Sequence, residues 1–332
     1  FCFWYGAHEP HRPYERGEGA AHGKYTVEAD VPDYLPNDEI VRDDLADYAF
    51  EVEWFDRQLG RMLAELEARG ELANTLVVVT SDNGMPFPRV KGQMYDHDFR
   101  LPMAMMWLDR TGSSGAEHER AQVILTDMIS FTDIAPTFVE AAGLESRPEM
   151  SGRSFLGLLD ARISGRFDAH RDRVCLGRER HDLGREGDVG YPVRCIRTDR
   201  YLYVRNLKPD LWPAGNPETG FTGCDSSPTK DLILEQASRG ETHYFDLAFG
   251  KRPLEELYAI AEDPDCLNNL AADPAYESVC SSLWTELRGY LLAQSDPRVL
   301  GTGDQFDRYE YVGEAPHSWK RYTEGTWKPQ SY

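Results

Sequence analysis

The sequence predicts an α/β fold, a mostly parallel sheet flanked by helices, joined to a smaller α+β unit. Three features predict it. Two short apolar runs, residues 1–7 and 76–79, each read as a buried strand, and each ends in a polar cluster. A long amphipathic stretch lies between them. Beyond about residue 150 the pattern changes to closely spaced alternating segments.

After the first run, residues 15–37 are rich in glycine, proline and charge and read as an excursion over the surface. Asn37 is placed to cap the helix that follows, with Asp38 and Glu39 in its first turn. Val41, Leu45, Tyr48, Val52, Phe55, Leu59, Met62 and Leu66 recur in steps of four and three, and Gly70 supplies the stop. A helix between two apolar strands is a βαβ crossover, so those strands are expected as parallel neighbours in one sheet. Residues 101–107 read as a further strand, and residues 132–142 as a helix closed by Gly143, with Pro136 tolerated near its first turn. Residues 193–197 and 201–205, joined by Thr198-Asp199-Arg200, have hairpin character. Leu202 and Val204 alternate with Tyr201, Tyr203 and Arg205, which predicts a small antiparallel sheet with one buried face. Residues 276–293 read as a helix turning Val279, Leu283, Leu287, Tyr290 and Leu291 inward. The chain is thus expected to divide into residues 1–150 and 151–332.

A formal net charge of −21 over 332 residues argues against nucleic acid or an anionic membrane surface as general partners, because both need a basic face. An anionic substrate would need a local basic pocket. No run approaches the roughly 20 apolar residues of a membrane span. The six cysteines show neither a C-x-x-C pair nor zinc spacing, and a Cys266–Cys280 bridge is left open.

The chemistry concentrates where strands end. Asp82 and Asn83, in Thr80-Ser81-Asp82-Asn83-Gly84, offer two hard oxygen ligands suited to Ca2+ or Mg2+. The same residues are also ordinary turn formers. A proline-stiffened loop follows and delivers Lys91 beside them, while the first run ends in His8-Glu9-Pro10-His11-Arg12-Pro13-Tyr14. Arg178-Glu179-Arg180-His181, with Tyr191 and Arg194, suits an anionic sugar and equally a solvated charge run. Asp96, His97 and Asp98 read as a loop rather than as ligands.

The order strand, His-x-Pro-His-Arg, long helix, strand, Thr-Ser-Asp-Asn-Gly, Pro-Phe-Pro, Lys resembles the sulfatase family of the alkaline phosphatase superfamily. Within it the nearest likeness is to the sulfamidases, the N-sulfoglucosamine sulfohydrolases. Gly190-Tyr191-Pro192-Val193-Arg194, the stretch 201–207, Glu256-Leu257-Tyr258 and Asn268-Asn269-Leu270-Ala271 extend the likeness over nearly the whole chain. The resemblance implies an alkaline-phosphatase-like mixed sheet and a C-terminal four-stranded antiparallel sheet with a helix. It implies Asp82 and Asn83 as Ca2+ ligands, with Mg2+ as the other candidate. His8 would bind a sulfate oxygen or protonate the departing group, and Lys91 would grip the sulfate. His11, Arg180, His181 and Arg194 would contact the substrate, while Arg12 braces the loop or joins them. Sulfamidases tend to carry Arg where Lys91 stands, which leaves sulfamate and O-sulfate both open.

The family's Cys/Ser-x-Pro/Ala-x-Arg signature, whose first residue becomes formylglycine, follows none of the six cysteines. The expectation is therefore the C-terminal part of a longer sulfatase. The formylglycine and two further metal carboxylates would lie on the N-terminal part, and this chain alone would be inactive. The implied function is hydrolysis of sulfate esters or sulfamates of glycosaminoglycan-type sugars. A phosphodiesterase or phosphonate hydrolase of the same superfamily, and a glycan-binding pseudosulfatase, are the alternatives. Family habit implies a periplasmic, extracellular or lysosomal location, and a homodimer is left open.

Overall fold

A computed structural model describes residues 1–24, 31–108 and 123–329. The middle of the expected surface excursion therefore lies outside the described residues. The first long element is helix α1, Glu39–Ala68, and its cap is Asp38 rather than Asn37. The Asp38 carboxylate accepts the Ile40 N–H at 2.9 Å, while Asn37 takes the Arg42 guanidinium. Only the first third of α1 is deeply covered: Val41, Asp44, Ala46 and Asp47 are buried, whereas Val52 and Trp54 stay exposed.

Strands β1 (Val77–Thr80) and β2 (Met103–Met106) pair antiparallel, with Val77 opposite Met106 and Thr80 opposite Met103. The expected parallel pairing of residues 1–7 with β1 is not formed. Residues 1–7 carry no strand, and Phe1, Phe3 and Trp4 are exposed. An apolar run becomes a strand only where a neighbour completes its hydrogen-bond ladder, and among the described residues none does so. Tyr5 instead stacks on Phe55 of α1 at 6.2 Å. A short helix α2, Ile134–Ala141, follows a 3-10 turn capped by Ser130, and Pro136 sits in its first turn as expected.

The second sheet has the order β3-β4-β5-β6, all antiparallel, from β3 (Arg173–Arg178), β4 (Val193–Thr198), β5 (Tyr201–Asn206) and β6 (Glu255–Ala259). Between β5 and β6 lie helices α3 (Pro228–Ser238) and α4 (His243–Phe249), and helix α5 (Glu277–Ala293) follows β6. Both faces of this sheet are buried, not one. Ile196, Tyr203 and Leu257 pack under Cys280, Leu283, Leu287 and Leu291 of α5. On the opposite face Leu202, Val204 and Tyr258 pack against Tyr95, which comes from the first half of the chain. That covering segment is remote in sequence, which is why the alternation along β5 could show only one of the two faces. Helix α5 turns Cys280 inward, and Tyr290 points out. All six cysteines are free, and Cys266 and Cys280 belong to cores on opposite faces of the sheet, so the bridge left open above is not formed. A further core joins Tyr34, Leu35, Val41, Phe87 and Val90 to Phe221, Ile233 and Phe249, so packing crosses residue 150. Among the described residues no helix is long and apolar enough to cross a membrane.

One buried ion pair locks four of these segments together. The Arg12 guanidinium donates to both Asp44 oxygens, at 2.7 and 2.9 Å, and its Nε donates to the Pro86 carbonyl at 3.0 Å. Asp44 also accepts the Thr229 hydroxyl of α3 at 2.6 Å. Arg12 lies between the rings of Tyr14 and Phe87, 4.4 and 4.8 Å from their centroids. Breaking such a pair from one side leaves an uncompensated buried charge, at about 3–5 kcal/mol. Arg12→Ala is therefore expected to lower the urea-unfolding free energy by about 3 kcal/mol. Arg12→Ala combined with Asp44→Ala should cost less than the sum of the two single changes. Additive effects would show that the two side chains do not act as a pair.

Candidate functional site

Two loops and one helix start build the site. His11 donates its backbone N–H to the His8 carbonyl at 2.8 Å, and the two exposed imidazoles meet edge-on with centroids 5.4 Å apart. Directly after β1, Asp82 is exposed and Asn83 half-buried, with the Asn83 amide donating to the Gly84 carbonyl at 2.8 Å. Gly84 is needed for a close approach: a Cβ there would stand 2.3 Å from the His97 carbonyl oxygen. The chain then runs inward through Pro86, Phe87 and Pro88 to buried Arg89, whose φ of 67° lies in the left-handed region. The Arg89 guanidinium caps the carbonyls of Leu247 and Cys266. This stiff excursion delivers Lys91 to the His8–His11 loop.

Lys91 Nζ lies 3.2 Å from His11 Nε2 and 2.9 Å from an Asp225 oxygen. An ammonium has no acceptor, so His11 Nε2 must accept and its proton must sit on Nδ1. Nδ1 is 2.6 Å from the Arg12 carbonyl, which accepts its N–H. Asp225 is held just ahead of α3, where Lys230 Nζ binds the carbonyls of Phe221 and Cys224 at 3.0 and 2.8 Å and Ser227 caps the helix.

His181 joins this cluster from the second half of the chain. A Cβ on Gly92 would come within 2.7 Å of its ring, so the imidazole lies directly on the residue after Lys91. By surface area His181 is nonetheless an exposed residue. Desolvation of the ring, with Arg178 and Lys91 nearby, pushes His181 down to about 4, so it works as a neutral imidazole. Beneath the same loop, burial pushes the Asp98 carboxyl up to about 7, against the opposing pull of Arg178 and the backbone N–H groups of Gly92 and Gly84.

The remaining expected residues are placed differently. Arg194 is a correction: it is buried and committed to Glu179 at 2.6 Å and Asp296 at 2.8 Å, so its fork is already filled. Arg180 is half-buried and donates to the Tyr309 carbonyl, beside the Tyr311 ring. Asp96 pairs with Arg197 at 2.7 Å and His97 with Asp265 at 2.8 Å, in keeping with a structural reading of that stretch. Sequence reasoning missed Asp225 and read Asp98 only as part of a loop. Nothing in their spacing pointed to Lys91 or Gly84, because both contacts are made only in the folded chain.

Asp82 and Asn83 fit a hard divalent cation by donor type. They do not complete a site. Among the described residues no group of three or more His, Cys, Asp or Glu stands ready to hold a metal ion, and Ca2+ takes about six to eight oxygens.

The structure thus gathers Lys91 and the imidazoles of His8, His11 and His181 around one loop in a strongly acidic chain. Residues 1–144 match the Sulfatase family model. An ulvan-active sulfatase from Formosa agariphila is 27% identical over 302 residues, 89% of this chain and 46% of the relative. The N-sulphoglucosamine sulphohydrolase of Homo sapiens is 27% identical over 282 residues, 81% of this chain and 52% of the relative. The chain thus spans about half the length of these curated relatives. A putative sulfatase from Bacteroides fragilis shares the fold, with a TM-score of 0.56 at 18% identity, covering 85% of this chain and 51% of that one.

A carboxyl raised from its ordinary value to about 7 takes up a proton on folding. It therefore favours the fold at low pH, and that contribution is lost as pH rises through 7. Wild type should lose more stability between pH 5 and pH 8 than Asp98→Asn, measured by urea unfolding at both values. The opposite slope from His181 is common to both proteins and cancels. Equal losses would remove Asp98 as a buried titrating group.

Proposed function

We propose that this chain forms the sulfate-receiving part of a sulfatase that hydrolyses sulfate esters or sulfamates of sugars. The observation that carries the reading is the Lys91 ammonium, pinned between His11 Nε2 and Asp225 in a chain of net charge −21. The family match over residues 1–144 supports it, as do relatives named for ulvan and for N-sulphoglucosamine.

Lys91 has three N–H donors, and His11 and Asp225 occupy two directions. The third is free to meet a sulfate oxygen and to neutralise charge that grows as the S–O or S–N bond breaks. His8, exposed beside His11, is the group placed to give a proton to the departing oxygen or nitrogen. Asp82 and Asn83 would hold Ca2+ or Mg2+ together with ligands from outside these residues. Bound there, the cation would polarise the sulfate as a Lewis acid. The family's formylglycine supplies the nucleophile when present, and here it too would come from outside the chain. Residues 151–332 form a substrate-shaping unit in this reading, with neutral His181 and Arg180 facing the sugar side of the cluster.

Two measurements test this. The 332 residues alone should release no inorganic sulfate from a sulfated glucosamine, and turnover by them would overturn the external nucleophile. In the full-length protein that includes these residues, Lys91→Ala should lower kcat/KM by about 10²-fold. His8→Ala should slow release of poor leaving groups more than that of a good one such as a nitrophenol. An unchanged kcat/KM in Lys91→Ala would remove Lys91 from the site.

A further inference from the structure

Among the described residues Asp225 is the carboxylate that stands beside the Lys91 ammonium, at 2.9 Å. A negative charge there repels an incoming sulfate. A site built only to receive the anion would do better with a neutral amide, whose oxygen could hold the lysine as well. The fold nevertheless fixes the carboxylate firmly in place. Lys230 Nζ binds the carbonyls of Phe221 and Cys224 just before position 225, and buried Ser227 caps α3 just after it. The Asp225 Oδ2 faces Lys91 and is closed off from solvent, while the side chain as a whole is 23% exposed. Solvent therefore reaches Asp225 on the side away from Oδ2, and Oδ1 is the acceptor that a ligand held by Lys91 would meet.

We propose that Asp225 determines specificity: its Oδ1 accepts a hydrogen bond from a free hydroxyl on the sugar carbon next to the sulfated one. This rests on the sulfate-receiving role of Lys91 proposed above. A sulfate held by Lys91 brings its sugar ring up to the ion pair, with the hydroxyl of the next carbon in reach of the carboxylate. When that donor is present, Asp225 is paired as the ligand closes over it. When it is absent, the carboxylate is left desolvated and unpaired against a sulfate, which is a penalty and not merely a missing contact. The substrate class is therefore a sugar whose sulfated position has a free hydroxyl beside it. Sugars deoxygenated, alkylated or sulfated at that neighbour are rejected, the last by like charge as well.

The test compares two substrates within one protein, so any loss of folded enzyme scales both alike and cancels. The full-length protein that includes these residues is given a sulfated glucosamine, and the same sugar with the hydroxyl beside the sulfate replaced by hydrogen. Wild type should favour the first by about 30-fold in kcat/KM, the scale of one hydrogen bond to a charged group. Asp225→Asn keeps the shape and removes the charge, and it should shrink that preference to about threefold. It should also tighten inhibition by inorganic sulfate, which carries the charge and no neighbouring hydroxyl. An unchanged preference in Asp225→Asn, or an equal loss on both substrates with weaker sulfate inhibition, would make Asp225 a support for Lys91 alone and overturn the proposal. No sulfate release by wild type from either sugar would remove the sulfatase reading itself, and this proposal with it.

Discussion

Arg12 and Asp44 set where everything else in the site can stand. Asp44 lies on α1, Arg12 follows His11, Pro86 opens the loop to Lys91, and Thr229 begins the helix behind Asp225. Four segments far apart in sequence thus meet at one buried ion pair. Water is excluded there, so the pair is held by charge-assisted hydrogen bonds that have no solvent competitor, and its geometry is fixed by two parallel contacts rather than one. The Arg12 carbonyl continues the chain of constraint by accepting the His11 Nδ1–H and leaving Nε2 to face Lys91.

Buried arginines do similar work elsewhere. Arg89 and Arg252 both reach carbonyls at the end of α4, and Arg185 holds those of Trp212 and Pro213. These carbonyls lie at chain reversals and at a helix C-terminus, where no backbone donor is available. In a chain with a large excess of acid, burying guanidinium groups on carbonyls also keeps them away from surface carboxylates.

Much of this was legible in the sequence, and the failures have physical causes. Helix α1 and the β4–β5 hairpin depend on local periodicity, and both were read within a residue or two. His8, His11 and Lys91 were singled out because a strand's end is a predictable place, and the structure brings them together. Residues 1–7 failed as a strand because pairing is not a local property. Arg194 was expected at the substrate because nothing local shows that Glu179 and Asp296 fill its fork. Asp225 could not be read at all, since 134 residues separate it from Lys91 and only the Ser227 cap and the Lys230 anchor bring it there.

The pairing of Lys91 with Asp225 does not bury the ammonium fully. The two side chains are 15% and 23% exposed, so water screens their attraction and the ion pair does not hold the ammonium's charge to itself. What the pair supplies is direction. A lone lysine on a loop spreads its three donors over many rotamers, and ordering it when an anion arrives costs side-chain entropy. Here Asp225 and His11 already hold two of the donors. An arginine at position 91 would carry a planar fork instead of a tetrahedral head. It could not make these same two contacts and keep a separate donor pointed out of their plane. The surroundings of position 91 therefore suit a lysine.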